Sequence, residues 1–239
     1  MEPFWRACLA ANRAVARTLS EGLSAAQRHK STVGAGGDIS SGIDLEAEAI
    51  FVEHLRPFGR IDSEESGSIG TGEYTVLLDP IDGSSNILSG FPYYGTSAAL
   101  VDPAGTTVSA CVCNLAAGEI FFKTPGAPAQ HGDIWGEDWA VYDPQMSPEI
   151  GIFERAYAYP DIVAVLGEAG MKFRAPGAAA LSLVYALETQ FFLFEGAYRT
   201  FDVAAGLACW ETGDVRRTST RLLAARDPQM LRRLDGLLP

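Results

Sequence analysis

Apolar positions along the chain fall into alternating blocks of helical and strand period. Phe4, Cys8, Ala11, Val15 and Leu19 recur at helical spacing with arginines on the other side, which predicts an amphipathic helix over residues 3–28. A glycine-rich stretch, Val33 to Asp38, reads as flexible. A second helix is expected from Asp44 to Pro57, with Ile43, Ala47, Ile50 and Leu55 on one face and Pro57 and Gly59 as its stop. The period then changes. Tyr74–Leu78, Tyr93–Val101, Thr107–Asn114 and Ile120–Phe122 read as strands, the last three as an antiparallel meander turning at Ala116-Ala117-Gly118. Residues 124–150 are rich in proline and glycine and carry no clear period. Further on, Ile152–Tyr159 and Phe191–Phe194 read as strands. Asp161–Gly167, Gly177–Leu187 and Asp202–Glu211 read as helices, and Asp227-Pro228 is suited to start a last short helix ending at Leu234. Helices precede and follow strand clusters without strict alternation, so the expected class is layered α/β with mixed sheets.

Length and charge narrow the choice. The chain has 239 residues, 47% hydrophobic and 20% charged, which fits one unit of residues 1–239. Its N-terminal half runs to about 125 and its C-terminal half from about 150, with no linker long enough to separate them. The net charge of −12, from 30 acids against 18 bases, disfavours nucleic acid and anionic membranes as partners. No apolar run approaches the ~20 residues that span a bilayer. Phe4 to Leu23 is interrupted by Arg6, Asn12, Arg13 and Arg17, so it does not read as a signal segment. Cys8, Cys111, Cys113 and Cys209 form no C-x-x-C pair, and His29, His54 and His131 are scattered, which argues against zinc. The expectation is a cytoplasmic protein whose thiols are core-lining rather than bridged.

The chemistry is concentrated at Leu77-Leu78-Asp79-Pro80-Ile81-Asp82-Gly83-Ser84-Ser85-Asn86. An apolar strand runs into two carboxylates. Pro80 removes a backbone donor and places Asp79 at a strand end or turn. Gly83 permits a sharp reversal, after which backbone N–H groups and two hydroxyls become available. Acids beside such a turn suit a hard cation on one side and an anion, such as phosphate, on the other. Asp-Pro and Asp-Gly are also ordinary turn dipeptides. Glu64 and Asp202 likewise sit at element boundaries. If the four acids converge, each pair repels by roughly 1–4 kcal/mol at ~4 Å, and bound cations would relieve that. Two Mg²⁺ bridged by Asp79 are one such solution. The competing readings are a solvated Glu64–Glu65 pair, a helix cap at Asp202, and a Ser41–Asp44 capping box.

Taken together, Asp79-Pro80-Ile81-Asp82-Gly83-Ser84-Ser85-Asn86, the earlier Glu64-Glu65-Ser66 and the later Asp202-Val203-Ala204-Ala205-Gly206 resemble the motif set of the inositol monophosphatase and fructose-1,6-bisphosphatase superfamily. Asp38 and Asp44 fit its upstream Asp-x5-Asp pattern, and Gly177-Ala178-Ala179-Ala180 is similar to its Gly-x-Ala-Ala helix start. The resemblance spans residues 38–206. It implies an αβαβα sandwich of alternating helix and sheet layers and a homodimeric, lithium-sensitive enzyme. It also implies Mg²⁺-dependent hydrolysis of a small phosphorylated polyol or sugar, inositol 1-phosphate foremost. Glu64, Asp79, the Ile81 carbonyl, Asp82 and Asp202 would hold two or three Mg²⁺ per chain. Asp44 and Ser84 would activate water. Gly83, Ser84 and Ser85 would hold phosphate. Gly177, Ala178, Ala179, Glu195 and Arg199 would meet the leaving group. Ser84-Ser85-Asn86 follows the bisphosphatase branch, Phe201 replaces a tryptophan, and Val33 stands where many members carry lysine; none of these removes a metal ligand. A fructose-1,6-bisphosphatase and a catalytically inactive regulatory protein are the alternatives.

Overall fold

Helix α1 (Phe4–Ser20) starts beside Pro3 and ends where Gly22 adopts φ +77°. That break divides the single helix expected over 3–28. Ser24 and Gln27 then form a reciprocal capping box and start the short α2 (Ala25–Arg28). The glycine stretch is the turn of a hairpin, β1 (Lys30–Val33) with β2 (Ile39–Ser41), closed by Gly34 N–H donating to the Asp38 carbonyl at 2.8 Å. Helix α3 (Gly42–Leu55) follows, and Pro57 turns its end into a 3-10 turn. The computed structural model describes residues 3–144, 149–210 and 213–238.

A first sheet of eight strands runs in the order β10-β9-β8-β7-β6-β5-β3-β4. Its members are β3 (Arg60–Ser63), β4 (Gly67–Ile69), β5 (Thr75–Asp82), β6 (Gly95–Val101), β7 (Thr107–Asn114), β8 (Glu119–Lys123), β9 (Gln130–Asp133) and β10 (Ala140–Val141). β3 and β5 are parallel and the expected meander is antiparallel. The strand expected to end at Leu78 continues to Asp82, with its register against β6 broken between Asp79 and Asp82. Pro80 has no N–H for the ladder, and the break absorbs it. Between β5 and β6 lies α4 (Ser84–Ser89). The illegible 124–150 region supplies β9 and β10, whose pairing with β8 no local pattern announces.

A second sheet has the order β12-β11-β13-β15-β14. It comprises β11 (Gly151–Glu154), β12 (Phe173–Arg174), β13 (Phe192–Glu195), β14 (Asp214–Arg217) and β15 (Arg221–Ala225). β11 stops at Glu154, five residues short of expectation, because Arg155 takes the left-handed conformation at φ 60°. β14 and β15 have no counterpart in the sequence expectations. β14 is charged and largely exposed, and β15 is too short for period alone to separate strand from helix. The remaining helices are α5 (Pro160–Glu168), α6 (Ala179–Tyr185), α7 (Thr200–Ala208) and α8 (Pro228–Leu237). Asp227 caps α8, accepting from Gln229 N–H at 2.8 Å. The expected end of α7, residue 211, lies outside the described residues.

Side-chain alternation builds the layers. On β7, Cys111 and Cys113 face α1 and α3 with Val15, Ile43 and Phe51, whereas Ala110 and Val112 face α6 and α7 with Leu181 and Ala205. The other side of α6 and α7, with Leu183 and Val203, packs on Phe192, Leu222 and Ala224 of the second sheet. Phe153, Leu193 and Leu223 leave that sheet on its far face and meet Ile162 of α5 and Leu231 of α8. Five layers result: helix, sheet, helix, sheet, helix. This is the expected sandwich. All four cysteines are free and buried. Among the described residues no helix is long and apolar enough to cross a membrane.

Candidate active site

One cavity of about 800 Å³ opens where the end of β5, the β1–β2 turn and the start of α7 meet. Glu64, Asp79 and Asp202 place carboxylate oxygens within 4.8 Å of one another there, and all three are buried. They arrive from three segments. Glu64 directly follows β3, and its carbonyl accepts from Gly36 N–H at 2.7 Å, which lays the glycine turn against it. Asp79 sits at the register break of β5 and accepts from Ile81 N–H at 3.0 Å. Asp202 is the third residue of α7 and accepts from Arg199 N–H at 3.0 Å, close to the cap-type role allowed for it. Asp82 stands beside this group. Its two oxygens accept from Ala179 N–H at 2.8 Å and Leu181 N–H at 3.0 Å, so it also caps α6.

Gly83 turns the chain at φ +94°, and a side chain there would lie 3.0 Å from the Tyr93 carbonyl and 3.2 Å from Ala178 Cβ. Only glycine fits that turn. Ser84 Oγ donates to the Ile81 carbonyl at 3.0 Å. Asn86 fastens α4 to the loop before α6, its Nδ2 donating to the Pro176 carbonyl at 2.7 Å. Asp44 combines both readings made of it. Its Oδ2 accepts from Ser41 N–H at 2.7 Å and Ser41 Oγ at 2.8 Å, a capping box, while its Oδ1 is buried with no hydrogen-bond partner. Asp44 and Ser84 both line the cavity.

Three of the residues expected to meet a leaving group are placed differently. Ala178 is buried behind Gly83. Glu195 is absent from the cavity wall, and its carboxylate pairs with Arg221 Nε at 2.5 Å. Arg199 lines the cavity but its guanidinium is held by Glu64 at 2.7 Å, Asp38 at 2.9 Å and Asp202 at 3.2 Å. Gly177 and Ala179 do line the cavity. Among the wall residues that escaped the sequence are Glu154, which accepts from Gly177 N–H at 3.0 Å, and Arg155. The signal was there, since Glu154-Arg155 interrupts an otherwise apolar strand.

Burial drives the electrostatics. It raises the Glu64 carboxyl to about 7, with Arg199 opposing and Asp202 adding to the rise. Burial raises Asp82 to about 8 against the lowering effect of the Leu181 N–H. It holds Asp79 well above the usual carboxylate range, reinforced by the charges of Glu64 and Asp82. Burial lowers Arg199, but Asp202 and Glu64 outweigh it and hold the guanidinium above its ordinary value. An all-oxygen set of buried carboxylates in mutual repulsion fits a hard divalent cation such as Mg²⁺. The sign of the linkage follows. Folded pKa values of about 7 and 8 exceed the unfolded values near 4, so the contribution of these groups to the metal-free fold is full below about 4 and is lost progressively as pH rises from there through 7–8. In EDTA, the melting temperature should fall by several degrees between pH 5.5 and 8.5, and millimolar Mg²⁺ should recover it most at the alkaline end. A melting profile insensitive to both pH and Mg²⁺ would contradict this account.

The chain is similar to known proteins over most of its length. The inositol monophosphatase family matches residues 2–212. A protein of Vibrio cholerae named Nus factor SuhB is 29% identical over 217 residues, covering 86% of this chain and 81% of its own length. A Thermococcus kodakarensis protein named fructose-1,6-bisphosphatase/inositol-1-monophosphatase is 29% identical over 177 residues, 72% of this chain and 66% of its own. The crystal structure of an inositol monophosphatase-fructose 1,6 bisphosphatase superposes with TM-score 0.80 at 18% identity, over 99% of this chain and 100% of that one, and so shares the fold. With the motif-bearing residues inside the matched span and the five-layer fold in common, the chain belongs to the inositol monophosphatase family.

Proposed function

We propose that this protein is a Mg²⁺-dependent phosphatase that hydrolyses a small phosphorylated polyol or sugar by in-line attack of water. The observation that carries the reading is the buried triad Glu64, Asp79 and Asp202, set in the same cavity as the Gly83–Ser85 turn and the unpartnered Asp44 Oδ1. Glu64, Asp79, the Ile81 carbonyl, Asp82 and Asp202 would hold two or three Mg²⁺. Bound there, Mg²⁺ supplies charge neutralisation for the phosphate and a more acidic water. Asp44, with Ser84, takes the proton of the attacking water. The N–H groups of Gly83, Ser84 and Ser85 orient the phosphate oxygens. The leaving alkoxide departs towards Gly177 and Ala179. Glu195, expected to meet the leaving group, pairs with Arg221 away from the cavity, which leaves the leaving group to a broader class of small polyol and sugar esters.

The test is phosphate release from inositol 1-phosphate, fructose 1,6-bisphosphate and p-nitrophenyl phosphate, each with Mg²⁺ and with EDTA. Mg²⁺-dependent release from at least one ester is expected. The second reading, a regulatory interaction protein, is favoured by the name of the Vibrio cholerae relative. It requires that none of the esters be turned over.

A further inference from the structure

The phosphatase reading leaves the leaving-group wall of the cavity unassigned, and that wall holds a built cation. We propose that Arg155 is the specificity-determining residue of the cavity and reads a second phosphate carried by the leaving group. The proposal rests on the phosphatase reading above.

Four observations carry it. Arg155 lines the same cavity as Gly83, Ser84 and Gly177, so a ligand seated on the turn shares the cavity with it. Among the described residues it is the one non-glycine residue with positive φ, at 60°. That conformation reverses the chain between Glu154, whose carboxylate holds the Gly177 loop, and Arg155. An arginine is disfavoured there and does nothing for the local backbone that glycine would not do better. Its guanidinium is also positioned. It lies over the Phe194 ring at 5.7 Å and donates to the Ala197 carbonyl at 3.4 Å. Gly196 beneath it has no side chain, and a Cβ there would stand 3.0 Å from Arg155 Nη1.

Its charge is the fourth observation. Arg199 is tied to three carboxylates, whereas among the described residues no carboxylate pairs with Arg155. Lys30, the remaining cation on the cavity, projects from an exposed hairpin strand with no such seat. The chain carries a net charge of −12 and lines this cavity with several acids, yet among the described residues none of them pairs with this arginine. A planar fork with free donors suits a phosphate, which it can grip bidentately.

The experiment uses the full chain with Mg²⁺ and compares kcat/KM for fructose 1,6-bisphosphate with kcat/KM for p-nitrophenyl phosphate, which carries no second anion. Arg155→Gly is the informative variant, because glycine accepts φ 60° and the fold is kept. The ratio of the two values should fall roughly ten- to a hundredfold, the range for one charge-assisted hydrogen bond, mainly through KM for the bisphosphate. Arg155→Lys should fall between wild type and Arg155→Gly. An unchanged ratio, including equal losses on both esters, overturns the proposal and leaves Arg155 a structural residue. No Mg²⁺-dependent turnover of any ester by the wild type sinks the phosphatase reading instead. The subsite is then judged by calorimetric titration with fructose 1,6-bisphosphate: weaker binding by Arg155→Gly supports it, and equal binding overturns it.

Discussion

Asp79→Asn lowers kcat/KM on p-nitrophenyl phosphate by roughly 10³-fold or more and at the same time raises the melting temperature of the metal-free protein. The two effects have one origin. Asp79 is 3% exposed and shares its neighbourhood with Glu64, Asp82 and Asp202. Without cations its charge is a liability, since burial and the like charges of Glu64, Asp82, Asp202 and Glu65 all oppose ionisation. Asparagine keeps the shape and can still accept from Ile81 N–H, so removing the charge relieves the metal-free fold. In the proposed two-metal site the same charge would be the shared ligand of the triad. Metal-held charge stabilises a phosphoryl transition state by several kcal/mol, and about 4 kcal/mol corresponds to ~10³-fold in rate. The opposite signs separate this account from simple misfolding, in which activity and melting temperature fall together. Calorimetry gives a third readout: the variant should lose Mg²⁺ affinity. Wild-type turnover by Asp79→Asn would end the two-metal reading.

What the sequence disclosed and what it withheld divide along a physical line. The segment from Leu77 to Asn86 was legible because its parts act locally. An apolar strand, a proline without a donor and a glycine at φ +94° determine where Asp79, Asp82 and the hydroxyls stand, with little help from the rest of the chain. The layer order was legible too, since strand alternation and helix period specify which faces are apolar. Pairing across the sheet was not. Glu195 and Arg221 stand directly opposite on antiparallel strands, a register that nothing near either residue encodes. An acid whose partner lies 26 residues away looks free in sequence and is neutralised in space. Arg199 shows the same limit. It reads as a candidate anion grip until the β1–β2 turn brings Asp38, and β3 brings Glu64, onto its guanidinium. Arg155 is the converse case. Its place in the cavity wall comes with a left-handed backbone and a ring beneath it, and neither has a signature in a strand-like run.

Asp44→Asn should lower kcat by roughly 10²–10⁴-fold, the usual range for loss of a general base, while Mg²⁺ affinity stays largely intact. The two oxygens of this carboxylate have separate duties, which makes the prediction sharp. Oδ2 serves the helix, accepting from Ser41 N–H and Ser41 Oγ at the start of α3. Oδ1 is buried and lacks a partner, an arrangement that costs stability unless something in the cavity uses it. The capping duty survives in asparagine, whose amide oxygen can accept from Ser41 N–H, so the melting temperature should change little. Ser41→Ala provides the reverse experiment. It removes one capping bond, worth about 0.5–2 kcal/mol, and leaves the carboxylate charged, so stability should fall while kcat is largely kept. Ser84→Ala should resemble Asp44→Asn in kcat, because Ser84 Oγ is the hydroxyl fixed beside the Ile81 carbonyl at the same end of the cavity. If Asp44→Asn instead melts early and turns over at the wild-type rate, Asp44 is a helix cap and nothing more. The proton of the attacking water must then leave by another group on the cavity wall, with Glu65 the next to replace, since burial has already raised its carboxyl above the usual range.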